Sequence, residues 1–372
     1  MTFAKCLRSS LTLALCLGST LLQAQTPDEV RARCRMENRP CVGLVLSGGG
    51  ARGFAHVGVI KVLEELGIRI DVIAGTSMGA MVGGAYAAGF SYEQLLSTVL
   101  GVDWDQMIAP RADRSILPFR RKLDDYKSLP VSGIEIGSDG MPQLPESFVP
   151  SEELQLFLND KTGSVAMIED LSRLSIPFAS TATDLVTGER VVMQKGCNLG
   201  EAMRASMSLP GVFAPVPFHK HLLVDGGLID NLPVELARSM GADVLIVVNV
   251  GTPLSKRSEL TSVVGVMAQM VNLLTEQNVR KSLESLGPSD VLITPDLEGF
   301  TSADLKRSAE IIERGEAAAR RAQSRLLAFA RPIEEFNSWN IARMAPFREE
   351  AQRKVHQLSD VRVAARRRAA VA

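Results

Sequence analysis

Apolar residues in this chain follow two rhythms. Short, mostly apolar runs at residues 41–46, 72–74, 176–179 and 243–250 alternate with stretches in which apolar positions recur every three or four residues. The runs predict buried strands. The stretches predict helices: Val57, Ile60, Val62, Leu63 and Leu66 form one face, and residues 78–88 are small and apolar throughout. Such alternation builds an α/β domain with a mainly parallel sheet covered on both faces. A shorter strand is predicted at 221–224. Over 261–286, Val263, Val264, Met267, Met270, Val271 and Leu274 repeat at helical spacing; core packing is the expected reason, and a lid over a pocket is the alternative.

Two glycine-rich blocks sit where predicted strands end. Gly75-Thr76-Ser77-Met78-Gly79 follows the 72–74 run and precedes the small-residue helix. This is the context of a nucleophile elbow, in which flanking glycines let a strand turn sharply and leave a serine hydroxyl exposed. A tight turn with an incidental serine is the plain alternative. The second block, Gly48-Gly49-Gly50-Ala51-Arg52-Gly53, joins the 41–46 strand to a helix start, where unblocked N–H groups can hold a phosphate or an oxyanion. Gly48, Gly50 and Gly53 also satisfy dinucleotide-binding spacing, with Asp71 about the right distance beyond. Asp71, however, opens its strand instead of closing it, and that strand ends in the serine block. Acyl transfer is therefore the better reading.

The base is harder to place. Of the histidines His56, His219, His221 and His356, only His356 comes late enough for a Ser-acid-His order, and it lies in a charged tail. Asp225-Gly226-Gly227, closing the 221–224 strand, is better placed, because open α/β sheets put ligands at strand ends. In this order, the Gly48 to Gly53 block, the Gly75 to Gly79 block and Asp225-Gly226-Gly227 resemble the signatures of the patatin-like phospholipases. Ala182-Thr183-Asp184-Leu185, Thr187-Gly188-Glu189, the stretch 205–213 and Asp230-Asn231-Leu232-Pro233 agree, so the resemblance covers roughly 40–330. It implies a three-layer α/β/α sandwich and a Ser-Asp dyad, with Ser77 as nucleophile and Asp225 as base. Gly75 and Gly79 would shape the elbow, and Gly226 and Gly227 the acid loop. The oxyanion hole would come from Gly48, Gly49, Gly50, Ala51, Arg52 and Gly53. The implied activity is hydrolysis of phospholipid or lysophospholipid esters at a membrane surface, with no metal or organic cofactor. The alternatives are a small-ester or thioester hydrolase on the same fold and a catalytically silent lipid-binding protein; the intact motifs argue against the silent one.

An ordinary aspartate titrates near 3.9 and is a weak base toward a hydroxyl. Burial among Phe213, Val216, Phe218 and residues 222–224 is expected to raise it. Other residues carry open readings. Arg52 is either a lipid-phosphate contact or a structural arginine at a helix start. His56 is expected to be a packed core histidine, and Asp184 either orders the site or closes a turn. His219 and His221 lack further metal ligands in the sequence. Arg111, Arg114, Arg120, Arg121 and Lys122 interleave with Ile116, Leu117, Pro118 and Phe119, which suits either a solvated loop or a patch on anionic headgroups.

Lys5 and Arg8 precede an apolar run over 11–22 that is too short to span a bilayer, so residues 1–24 read as an export signal cleaved after Ala24. Leu13-Ala14-Leu15-Cys16 resembles a lipoprotein box, but Leu15 is too large before the cysteine. A linker at 25–39, the hydrolase domain at 40–333 and a basic helical or disordered tail at 334–372 complete the expected organisation. From Arg343 the tail holds eight Lys or Arg against three Asp or Glu. A periplasmic or secreted enzyme is expected. With 372 residues, 46% hydrophobic, and a net charge of −1, the chain can bury a full core and shows no overall charge suited to nucleic acid. Signal removal would leave Cys34, Cys41 and Cys197. Cys34 and Cys41 are either free thiols or a disulfide worth on the order of 2 to 3 kcal/mol in an oxidising compartment.

Overall fold

All five residues of strand β1 (Val42–Leu46) are buried, which only a strand covered on both faces can achieve. The computed structural model describes residues 24–104, 107, 135–136, 142–143, 151–255, 257, 260 and 263–345. The other strands of its main sheet are β2 (Val72–Gly75), β3 (Phe178–Asp184), β4 (Arg190–Met193), β5 (Val216–Phe218), β6 (His221–Asp225), β7 (Val244–Val248) and β8 (Val291–Ile293). Pairing runs β8-β7-β1-β2-β3-β6-β5, with β4 also on β3. Four pairings, β8 with β7, β7 with β1, β1 with β2, and β2 with β3, are parallel. Those made by β4, β5 and β6 are antiparallel.

Alternate residues of the parallel strands enter two separate cores. Leu44, Leu46, Ile73, Ile246 and Val248 face one side, and Val45, Val72, Ala74, Leu245 and Val247 face the other. In chain order the α-helices described up to residue 326 are α1 (Pro27–Met36), α2 (Ala55–Glu65), α3 (Met78–Ala88), α4 (Tyr92–Gly101), α5 (Ser151–Thr162), α6 (Leu199–Ser206), α7 (Gly227–Asp230), α8 (Val234–Ser239), α9 (Val263–Glu284), α10 (Ser308–Arg321) and α11 (Gln323–Leu326). Residues of α2, α3, α5, α6 and α10 pack into the first core, and residues of α1, α8 and α9 into the second. The result is the expected three-layer α/β/α sandwich with a mostly parallel sheet.

Three expectations change. Residues 25–39 are not a linker: Thr26 and Glu29 form a capping box that starts α1, Val30 and Cys34 are buried, and a Cys34–Cys41 disulfide ties the helix to β1. Asp71 lies beside that join, accepting the Val42 N–H and a two-pronged contact from Arg39, which ends its reading as a ribose ligand. The tail also begins inside the fold. Residues 333–345 are helical, and Arg343 is fully buried, stacked over Tyr86, donating to the Tyr86 and Phe90 carbonyls and paired with Glu64. It thus satisfies carbonyls at the C-terminal end of α3, where intrahelical donors run out. Finally, core packing does not explain all of α9. Met270 is 61% exposed and Leu274 49%, while Val271 faces a cavity.

Candidate active site

β1 and β2 end level, Leu46 against Gly75, so the two glycine blocks leave the sheet side by side. Ser77 then enters α3 with φ +53° and ψ −122°, a conformation that costs about 1–3 kcal/mol and is held by its surroundings. One restraint is the hydrogen bond from the Ser77 N–H to Ser206 Oγ, 2.9 Å. Another is packing: a Cβ at Gly79 would lie 2.2 Å from the Leu46 carbonyl oxygen, so only glycine lets α3 start this close to β1. Thr76 is buried beneath the turn, bonded to the Asp230 carbonyl and to Thr181 Oγ1.

Asp225 arrives from the opposite direction. Ser180 pairs with both β2 and β4, and Ala182 and Thr183 pair with both β4 and β6. Strands β2 and β6 therefore lie end to end along one edge of β3, their C-terminal ends facing each other at Ser180 and Ala182. A parallel neighbour would have carried Asp225 away along its own loop; the antiparallel strand points it at the elbow. Ser77 Oγ donates to Asp225 Oδ2 at 2.6 Å, and the Gly227 N–H donates to Oδ1 at 2.8 Å. Burial pushes the Asp225 carboxyl up to about 6, against the opposing pull of the Ser77 and Gly227 hydrogen bonds. Gly226 precedes α7, and α9 braces the loop through Asn278 and Thr275 on the Gly227 carbonyl.

Ser77, Asp225, Gly48, Gly49, Gly50 and Ala51 share a cavity of about 320 Å³. Apolar side chains dominate its walls, among them Met78, Trp104, Leu154, Met207, Leu209 and Phe213, and among the described residues no cationic side chain lines it. The loop N–H groups are not equivalent. Gly48 donates to the Asn231 carbonyl and Ala51 to the Ser302 carbonyl, whereas the N–H groups of Gly49 and Gly50 have no acceptor among the described residues. Gly50 has φ +56°, which glycine adopts without strain. Of the two readings of the Arg52 side chain the structural one holds: its guanidinium is buried against the carbonyls of Val250, Gly251, Leu297 and Phe300, and Arg52 does not line the cavity. Gly53 also lies off the cavity and packs on Met78.

The histidines stand elsewhere. His56 is buried with Nε2 donating to the Ser47 carbonyl at 2.8 Å, and desolvation pulls it down to about 4, so it is neutral. His221 Nδ1 bonds Asp184 Oδ2 at 2.9 Å; Asp184 also holds the Val186 N–H and the Thr187 hydroxyl, so it closes a turn. His356 and the 111–122 basic stretch lie outside the described residues. Cys34, Cys41 and Asp71 lie close enough to share an ion, but the two sulfurs form the disulfide and the carboxylate is engaged by Arg39. Ser206 and Asn231 also belong to the site; both fall in stretches that match the family resemblance, but neither carries a local chemical signal in the sequence.

The sequence profile of a family described as patatin-like phospholipase matches residues 44–238, just over half the chain. This chain belongs to the patatin-like phospholipase family. It is 37% identical over 223 residues to an uncharacterised NTE family protein of Mycobacterium tuberculosis, covering 60% of this chain and 52% of that one. It is also 32% identical over 213 residues to patatin-like phospholipase domain-containing protein 6 of Homo sapiens, covering 57% of this chain and 13% of the human protein. The chain thus spans about half of the first relative and a small part of the second. Among solved structures, VipD from Legionella pneumophila aligns with a TM-score of 0.43 at 18% identity, over 78% of this chain and 67% of VipD.

Proposed function

We propose that this patatin-like protein is a serine acyl hydrolase that cleaves ester bonds of phospholipids or lysophospholipids. The observation that carries the reading is the 2.6 Å hydrogen bond from Ser77 Oγ to a buried Asp225, inside an apolar cavity also lined by two glycines whose N–H groups have no acceptor among the described residues. As Ser77 Oγ attacks the ester carbonyl, its proton passes to Asp225 Oδ2. The carbonyl π pair moves to oxygen, and the Gly49 and Gly50 N–H groups stabilise that oxyanion. Collapse breaks the C–O bond; Asp225 returns the proton to the leaving alcohol, and the acyl group stays on Ser77. Water then attacks the acyl carbonyl, giving its proton to Asp225, and the fatty acid leaves as the proton returns to Ser77. A carboxyl raised toward 6 is a better base than an ordinary aspartate, yet still ionised at neutral pH.

The apolar lining favours an acyl chain inside and a polar head group outside. Val266, Met270, Leu273 and Leu274 expose an apolar stripe on α9, the helix whose Val271 and Thr275 line the cavity. That continuity supports peripheral docking of this face on a lipid surface. The Cys34–Cys41 disulfide and the N-terminal export pattern support a periplasmic or secreted location.

A panel of phospholipids, lysophospholipids, acyl thioesters and short soluble esters, assayed for released acid, tests this. Phospholipid or lysophospholipid should be hydrolysed, Ser77→Ala should abolish turnover, and a fluorophosphonate should label Ser77. Turnover of short esters alone would hand the site to the small-ester alternative. Labelling that survives Ser77→Ala, or a folded His221→Ala variant as inactive as Ser77→Ala, would overturn the dyad.

A further inference from the structure

A second apolar space of about 30 Å³ adjoins the main cavity, and its walls continue the same helices. Helix α3 gives Met78 to the first space and Met81, one turn further from Ser77, to the second. Likewise α5 gives Leu154 and then Leu158. Met207, just past α6, faces the first space and Met203, one turn back, the second. Residues three or four apart share a helix face, so the same apolar faces of three helices line first one space and then the other. Trp104 is the one described residue that lines both spaces. Its indole is fixed there: Nε1 donates to the Val99 carbonyl at 3.2 Å, and the ring rests against Phe54 at 5.1 Å and Phe157 at 6.5 Å.

We propose that Trp104 sets the acyl-chain length this protein accepts. The ester carbonyl sits at Ser77, the chain runs along Met78 and Leu154, and its methyl end meets the indole, which closes off the space around Met81 and Met203. The proposal rests on the acyl-hydrolase reading above. Each further methylene that gains burial is worth roughly fourfold in kcat/KM. Removing the indole therefore favours chains a few carbons longer.

The test compares kcat/KM for p-nitrophenyl esters of eight, twelve and sixteen carbons. Trp104→Ala should raise the sixteen-to-eight-carbon ratio by roughly tenfold or more, for two or three extra buried methylenes. Trp104→Phe, which keeps a blocking ring, should shift the ratio far less, and Ala85→Phe added to Trp104→Ala should fill the second space and reverse the gain. If Trp104→Ala does not fold, Trp104→Leu carries the same expectation. An unchanged ratio, or a gain that Ala85→Phe leaves in place, overturns the proposal. Calorimetric binding of octanoate and palmitate to Ser77→Ala protein, with and without Trp104→Ala, reads the same ratio without catalysis. Absence of ester turnover in the wild type alongside a shifted binding ratio would defeat the hydrolase reading while leaving the Trp104 assignment standing; an unshifted binding ratio defeats that assignment.

Discussion

Replacing Asp225 by Asn is predicted to abolish the proposed hydrolase activity and to stabilise the protein at neutral pH. The folded protein raises this carboxyl from 3.8 to about 6, chiefly by burial. The folded state therefore holds the proton more tightly than the unfolded chain does. Between pH 3.8 and about 6 the folded form binds more protons, so stability is fully present below that window and is lost as pH rises through it. A gap of this width corresponds to about 3 kcal/mol, a cost the wild type carries at every pH above about 6. Solvent screening does little to reduce it, because the side chain is enclosed. Asparagine keeps the shape, accepts the Gly227 N–H through its carbonyl, presents an N–H to Ser77 Oγ and never ionises. Urea unfolding at pH 4 should find the two proteins nearly equal, and at pH 8 the variant ahead by about 3 kcal/mol, with turnover down by about 10³-fold or more. A stability difference independent of pH, or a wild type that is the more stable at pH 8, would refute the reasoning. The same titration should appear in catalysis: kcat/KM rises with pH up to about 6, where Asp225 becomes free to accept the serine proton, and then levels.

Gly79→Ala places a Cβ 2.2 Å from the Leu46 carbonyl oxygen, so it should cost about 2–3 kcal/mol or more in thermal unfolding and abolish phosphonate labelling of Ser77. Arg343→Ala strands a partly buried Glu64 and leaves the Tyr86 and Phe90 carbonyls without their donor; a loss of about 3–5 kcal/mol in urea unfolding is expected, and a loss below about 1 kcal/mol would show the 333–345 helix to be dispensable. Met270→Glu with Leu274→Glu charges the exposed stripe of α9 and should weaken binding to phospholipid vesicles about tenfold or more in a sedimentation assay; equal binding would exclude this face as the docking surface.

Much of this protein is legible in its sequence for a local reason. Unbroken apolar runs fixed β1, β2 and β7, because a strand buried on both faces has no polar side to show. The glycines at 75 and 79 marked the elbow, since a turn that brings backbone against backbone tolerates no side chain there. Other features are set by residues distant in the chain. Nothing in His221–Asp225 says that its strand runs antiparallel; that direction follows from pairing to the far half of β3, and it alone turns Asp225 toward Ser77. The six-residue loop offered six candidates for the oxyanion. Tertiary contacts remove the Gly48 and Ala51 N–H groups by giving them carbonyls, and draw the Arg52 side chain to carbonyls near residues 250 and 300. Arg343 reads as one charge in a basic tail, but the carbonyls it meets, Tyr86 in α3 and Phe90 just past its end, lie more than 250 residues earlier. Sequence determines what a residue can do through its own backbone and its nearest neighbours. Which partners satisfy its charge or its hydrogen bonds is decided only when distant segments are brought into contact.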